Sequence, residues 1–103
     1  MGLFSFLFGE GKVKQVLKKG AVIIDVRSPA EYDRGKVPGS LNIPVDRIST
    51  SIGRIKDMNK PVIVCCESGY RSGRAMEILK SAGVEEVING GSWTSVLKKV
   101  QSL

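Results

Sequence analysis

Pro61-Val62-Ile63-Val64-Cys65-Cys66-Glu67-Ser68-Gly69-Tyr70-Arg71-Ser72-Gly73-Arg74-Ala75 decides how this chain is read. Residues 62–65 are apolar and β-branched except for the cysteine, which predicts a strand buried on both faces. A helical spacing follows, with Ala75, Met76, Ile78, Leu79 and Ala82 on one face, Ser72 as the expected N-cap and Gly83 as the stop. Between them lies a short loop that opens with a thiol and closes with a guanidinium. A strand-loop-helix turn of this kind aims several backbone N–H groups and a helix N-terminus at one point. A cysteine at that point is expected to be a thiolate at neutral pH.

The segments on either side repeat the alternation of strand and helix. Residues 12–19 place Val13, Val16 and Leu17 on one helical face with lysines opposite, and Gly20 ends the run. Residues 21–25 read as a buried strand with an acid, Asp25, at its C-terminal end. Ser28, Pro29 and Glu31 stand at N-cap, N1 and N3, a capping box that starts a short helix ending near Gly35. Residues 41–43 read as a strand, and Val45, Ile48, Ile52 and Ile55 have helical spacing. Asn59-Lys60-Pro61 is a turn, residues 86–88 a strand, Asn89-Gly90-Gly91 a turn, and Ser92 the cap of a last helix carrying Val96, Leu97 and Val100. Short strands alternating with helices, without hairpin signals, predict an α/β fold with a parallel sheet covered on both faces. In such sheets ligands sit beyond the carboxyl ends of the strands, where Asp25 and the Cys66 loop both fall.

Composition narrows the chemistry. A length of 103 residues, 42% hydrophobic and 25% charged, suits one globular domain. Residues 1–20 read as an apolar segment followed by a basic helix, part of or appended to a domain over 21–103. Lys and Arg outnumber Asp and Glu by 16 to 10, for a net charge of +6. The basic residues are dispersed and not interleaved with aromatics, so a solvated surface attractive to small anions is expected and nucleic acid is not. The chain has no histidine, which excludes Cys-His and Ser-His catalysis and removes the commonest metal ligand. Two adjacent cysteines make neither an ordinary disulfide nor a zinc site, and the pattern suits a reducing, cytoplasmic setting. The apolar residues 1–8 are too few to span a bilayer and lack a basic start and a cleavage site, so no transmembrane segment is expected. A packed end is the preferred reading there, with a peripheral membrane contact as the alternative because Lys12, Lys14, Lys18 and Lys19 follow.

Within the central loop the residues divide by role. Cys65, inside the strand, is expected to be a small buried hydrophobe. Cys66 is expected as the first residue past the strand, with Gly69 allowing backbone to curl around a sulfur or an anion. Arg71, as the last loop residue, is expected to face the thiolate. Glu67 weakens the site by raising the thiol pKa unless it faces solvent. Asp25 is expected to tie loops together by accepting N–H bonds and pairing with Arg27 or Arg71, rather than to act as an acid or base.

Taken together these residues resemble the rhodanese (sulfurtransferase) family. Ile23-Ile24-Asp25-Val26-Arg27-Ser28-Pro29-Ala30-Glu31-Tyr32 resembles its N-terminal signature, and Gly35-Lys36-Val37-Pro38-Gly39-Ser40-Leu41-Asn42-Ile43-Pro44 the segment that follows. Val64-Cys65-Cys66-Glu67-Ser68-Gly69-Tyr70-Arg71-Ser72 resembles the active-site loop, and Asn89-Gly90-Gly91-Ser92-Trp93 the glycine turn before the last helix. Lys36 stands where the family usually has histidine. The resemblance implies a parallel sheet of about five strands with helices on both faces. It also implies that Cys66 takes a sulfane sulfur from thiosulfate or a similar small anionic donor and passes it, as a persulfide, to a thiol or protein acceptor. The amides of Glu67, Ser68, Gly69, Tyr70 and Arg71 would hold the anion, Arg71 would add charge, Asp25 and Arg27 would support the loop, and no metal or cofactor would be needed.

Counting from Cys65 instead gives Cys, five residues, Arg71 and Ser72, the spacing of cysteine-based phosphatases of related fold. That reading requires the strand to end at Val64. A third possibility is a binding module of this fold without chemistry.

Overall fold

Each strand of this chain is followed by a helix or a helical turn, and the apolar side chains of the two have to be buried against each other. The structure, a computed structural model, describes residues 10–103. The apolar segment 1–8 lies outside the described residues. The elements are α1 (Glu10–Lys18), β1 (Val22–Asp25), α2 (Pro29–Arg34), β2 (Leu41–Asn42), a 3-10 turn (Val45–Arg47), α3 (Ile52–Met58), β3 (Val62–Cys66), α4 (Tyr70–Ser81), β4 (Val87–Ser92) and α5 (Trp93–Gln101). Among the described residues the sheet has four strands, one short of the expected number, in the order β2-β1-β3-β4. All its pairings are parallel. Among the described residues no helix is long and apolar enough to cross a membrane.

Side-chain alternation along the strands divides the core into two layers. Ile24, Val26, Val62, Val64, Cys66 and Val87 face Ile48, just after the 3-10 turn, and Ile55, Ala75 and Leu79 of α3 and α4. Ile23, Ile63 and Cys65 face the other way, onto Val13 and Val16 of α1 and Val96 of α5. The basic helix predicted around residues 12–19 is therefore packed into the domain by its valines. The central strand β3 is buried along its whole length, as its continuous apolar run requires.

Three local expectations are corrected. The α4 helix begins at Tyr70, with Gly69 as N-cap at φ 98°, so Ser72 is its third residue and not its cap. The segment 45–55 is not one helix: Thr50 and Ser51 both donate side-chain hydrogen bonds to the Arg47 carbonyl, at 3.0 and 2.9 Å, and interrupt it. Asn89, Gly90 and Gly91 form no turn but lie within β4. Val64 is paired with Asn89 and Cys65 with Gly91, so Gly90 is the extra residue of a bulge. Only glycine fits there, because an added Cβ would lie 2.7 Å from Val96 Cγ2 and 2.8 Å from Ile63 Cγ2.

The predicted capping box stands. Ser28 Oγ accepts from the Glu31 amide, and the Glu31 carboxylate accepts from the Ser28 amide. Ser92 likewise caps α5, accepting from the Ser95 amide at 3.2 Å.

Candidate active site

β3 delivers Cys66 as its last residue, not as the first residue beyond it, and only 1% of its surface is exposed. After it, Glu67, Ser68 and Gly69 turn the chain into α4. The positive φ of Gly69 points its amide back at the sulfur, at 3.0 Å from Sγ. The Ser72 amide also donates to Sγ, at 3.4 Å, and the Ser72 hydroxyl lies 3.3 Å away. The α4 N-cap, Gly69, has no side chain to accept from the N3 amide, and the Cys66 sulfur takes that place. Burial pushes the Cys66 thiol up. The Ser72 hydroxyl and the amides of Ser72, Gly69 and Ser68 outweigh it and hold the group below the ordinary thiol value.

Cys65 points into the opposite layer and is fully buried. Burial, with Asp25 and Cys66 nearby, drives its thiol well above the ordinary range, and Arg27 offsets this only in part.

Asn89 completes the arrangement around Cys66. It is 8% exposed and reaches across from β4. Its Oδ1 accepts from the Ser72 hydroxyl at 2.7 Å and from the Gly91 amide at 3.0 Å, while its Nδ2 donates to the Gly69 carbonyl at 3.0 Å. It therefore ties the loop, the helix start and the bulge together. Sequence reasoning missed it because the Asn-Gly-Gly run reads as a turn. Its one local signal was its place immediately before two glycines.

The charged residues form two groups. Asp25, fully buried, accepts from the Arg27 amide and from Nε and Nη2 of the Arg27 guanidinium, the shortest contact being 2.7 Å. Arg27 also donates to the carbonyls of Glu31 and Gly35 and lies 4.7 Å from the centre of the Trp93 ring. Nδ2 of Asn42 donates to the carbonyls of Asp25 and Arg27, fixing β2 to this corner. Arg71, expected to face the thiolate, instead makes a two-pronged pair with Glu31 at 2.8 and 3.0 Å. That pair and the Ser28 amide hold the Glu31 carboxyl down at about 2. Arg71 acts on Cys66 only as a nearby charge. Glu67 turns to solvent, with 64% of its side chain exposed, and its carboxylate lies 3.9 Å from Arg27. Ser68 is exposed, and Tyr70 is 86% exposed at the start of α4. Among the described residues no group of three His, Cys, Asp or Glu side chains gathers as a metal site would need.

This arrangement gives a single acidic sulfur at the carboxyl edge of a parallel sheet, beneath amides and beside a fixed cation. It suits nucleophilic attack by sulfur with stabilisation of negative charge. The model of the rhodanese-like domain family matches residues 10–99. The chain is 41% identical over 69 residues to the thiosulfate sulfurtransferase PspE of Escherichia coli (strain K12), covering 66% of each chain. It is 33% identical over 76 residues to the thiosulfate sulfurtransferase GlpE of Pseudomonas syringae pv. syringae, covering 72% of this chain and 71% of that one. The uncharacterized protein YqhL of Bacillus subtilis is 38% identical over 69 residues, which cover 67% of this chain and 54% of its own length. The match thus spans only about half to two thirds of the length of several of these relatives. Among solved structures, a rhodanese with anions from E. coli superposes with a TM-score of 0.67 at 37% identity, covering 73% of this chain and 89% of that one. The human single-domain sulfurtransferase TSTD1 superposes with a TM-score of 0.69 at 27% identity, covering 86% and 92%. A parallel sheet that ends in a cysteine under converging amides, matched over residues 10–99, makes this chain a member of the rhodanese-like family.

Proposed function

We propose that this protein is a sulfurtransferase that carries a sulfane sulfur on Cys66. The observation that supports this most is the Cys66 sulfur at the end of β3 with the Gly69 and Ser72 amides 3.0 and 3.4 Å away. The Cys66 thiolate attacks the outer sulfur of thiosulfate or a related donor. A Cys66–sulfur bond forms, the donor's sulfur–sulfur bond breaks, and its electron pair leaves with sulfite. The product is a Cys66 persulfide anion, so the charge is conserved. A thiolate of a small molecule or protein, or cyanide in an assay, then takes the outer sulfur and restores the Cys66 thiolate. The amides around Sγ stabilise negative charge on the sulfur in both steps.

Because the residue is only 1% exposed, reagents with a slim reacting end are favoured over bulky ones. Cys65 packs into the apolar layer of α1 and α5 without converging amides, and β3 runs on to Cys66 rather than ending at Val64, which counts against the phosphatase reading. Mass spectrometry after thiosulfate treatment tests the proposal. Wild type and Cys65→Ser are expected to gain one sulfur (~32 Da), because an activated thiolate is required. Cys66→Ser is expected to gain none. Wild-type protein that takes up no sulfur would point to a binding module and end the proposal.

A further inference from the structure

The hydrogen bonds around Cys66 contain a conflict over one proton. Ser72 has a single hydroxyl hydrogen. Its Oγ lies 2.7 Å from Asn89 Oδ1 and 3.3 Å from Cys66 Sγ, and both are acceptors once Cys66 is ionised. The orientation of the Asn89 amide is not free, because the Gly91 amide can only donate to it and the Gly69 carbonyl can only accept from it. Oδ1 therefore faces Ser72 and draws its hydrogen. With that hydrogen on Asn89, Ser72 offers the sulfur only a lone pair, which suits a thiol donating its S–H.

We infer that the Ser72 hydroxyl is a two-position switch, and that Asn89 is the positioning residue that competes with Cys66 for its hydrogen. The inference rests on Cys66 being the reactive sulfur, as proposed above. When Cys66 is protonated, the chain of donors runs from the sulfur to Ser72 to Asn89. When Cys66 loses its proton to bulk base, the Ser72 hydroxyl turns to the thiolate, and Asn89 Oδ1 keeps only the Gly91 amide. Ser72 gains and loses no proton; it only rotates. Asn89 thereby limits how easily Cys66 ionises while it holds the loop.

The other groups around the sulfur do not supply this effect. Arg71 on α4 is paired with Glu31, Asp25 and Arg27 on the β1 side are paired with each other, and Glu67 lies largely in solvent with its carboxylate 3.9 Å from Arg27. Arg74 on α4 and Asp46 and Arg47 on the 3-10 turn are exposed, and β4 brings no ionisable side chain.

The test is the pH profile of Cys66 alkylation by iodoacetamide, which reads the thiol without requiring sulfur transfer. In the acid limb Ser72→Ala is expected to react about tenfold more slowly, having lost a hydrogen bond to a charged group. Asn89→Ala is expected to react about threefold faster, because Ser72 is released to the sulfur. In the Ser72→Ala background the same Asn89→Ala change is expected to have no accelerating effect. Slower reaction in Asn89→Ala, or an equal change in both backgrounds, overturns the switch and leaves Asn89 as a loop tie only. Should Asn89→Ala fail to fold, NMR of the wild type decides. The Gly91 amide proton is expected to move downfield as Cys66 ionises, and to move less in Ser72→Ala; equal movement overturns the inference. If alkylation follows the expected pattern but thiosulfate loads no sulfur, the switch stands and the sulfurtransferase reading falls.

Discussion

Cys65 and Cys66 are neighbours on one strand, buried to the same degree, and chemically opposite. Cys65 is 0% and Cys66 1% exposed, yet burial drives the first thiol up while the second is held below its ordinary value. The difference comes from the two-residue period of a strand. Odd positions of β3 face the apolar layer of α1 and α5, while Cys66 faces the start of α4, where Gly69 and Ser72 present amides. Burial without donors makes a cysteine inert. Burial with donors aimed at the sulfur makes it an acid.

The sharpest way to break this contrast is to exchange each sulfur for oxygen in turn. Cys66→Ser is expected to remove thiosulfate:cyanide transfer to background, whereas Cys65→Ser is expected to keep it within about threefold, since only the first bears the thiolate. Comparable losses from both changes would break the division of roles.

A second test disturbs the charges on the Cys65 side. Arg27→Met leaves Asp25 buried and unpaired, and is expected to cost about 3–5 kcal/mol in chemical denaturation. The midpoint of Cys66 alkylation in the folded protein is expected to stay in place. A midpoint that moves as far as in Ser72→Ala would show that the two sides are not separable.

The smallest effect concerns the fixed cation. Glu31 has its pKa lowered to about 2 by Arg71 and the Ser28 amide. A lowered carboxylate adds stability above its unfolded value of about 4.3 and loses it as pH falls through the folded value. After allowance for solvent screening of a pair about one third exposed, about 1 kcal/mol is at stake. Glu31→Gln keeps the capping box, so its Tm deficit at neutral pH should vanish near pH 2, about where Glu31 titrates. A deficit that persists in acid would assign the effect to the cap.

The parts of this molecule that were legible in the sequence are those set by neighbours along the chain. The capping box of Ser28 and Glu31, the Ser92 cap, the glycine that stops α4 and the apolar run of β3 all follow from local spacing. Cys65 as a buried hydrophobe follows from the same alternation. The misreadings occurred where partners distant in sequence decide. Asn89-Gly90-Gly91 has the composition of a turn, but pairing with β3 holds it as bulged strand. Ser72 has the chemistry of a cap, yet Gly69 and the Cys66 sulfur fill that role and free Ser72 for Asn89. Arg71 finds Glu31 across 40 positions of sequence, a choice that no local pattern encodes.

The bulge at Gly90 also sets where this chain tolerates a change in length. Deleting Gly90 would remove the extra residue but leave Asn89 opposite Val64 and Gly91 opposite Cys65, so β4 would stay in register and α5 would start where it does now. The loss would fall on Asn89, whose Oδ1 accepts from the amide of Gly91 two residues on and would lose that spacing. An insertion or deletion in an exposed connection such as the Asn59-Lys60 turn touches no bond of that kind. Length variation among functional variants of this chain should therefore collect in the connections and avoid the two glycines of β4.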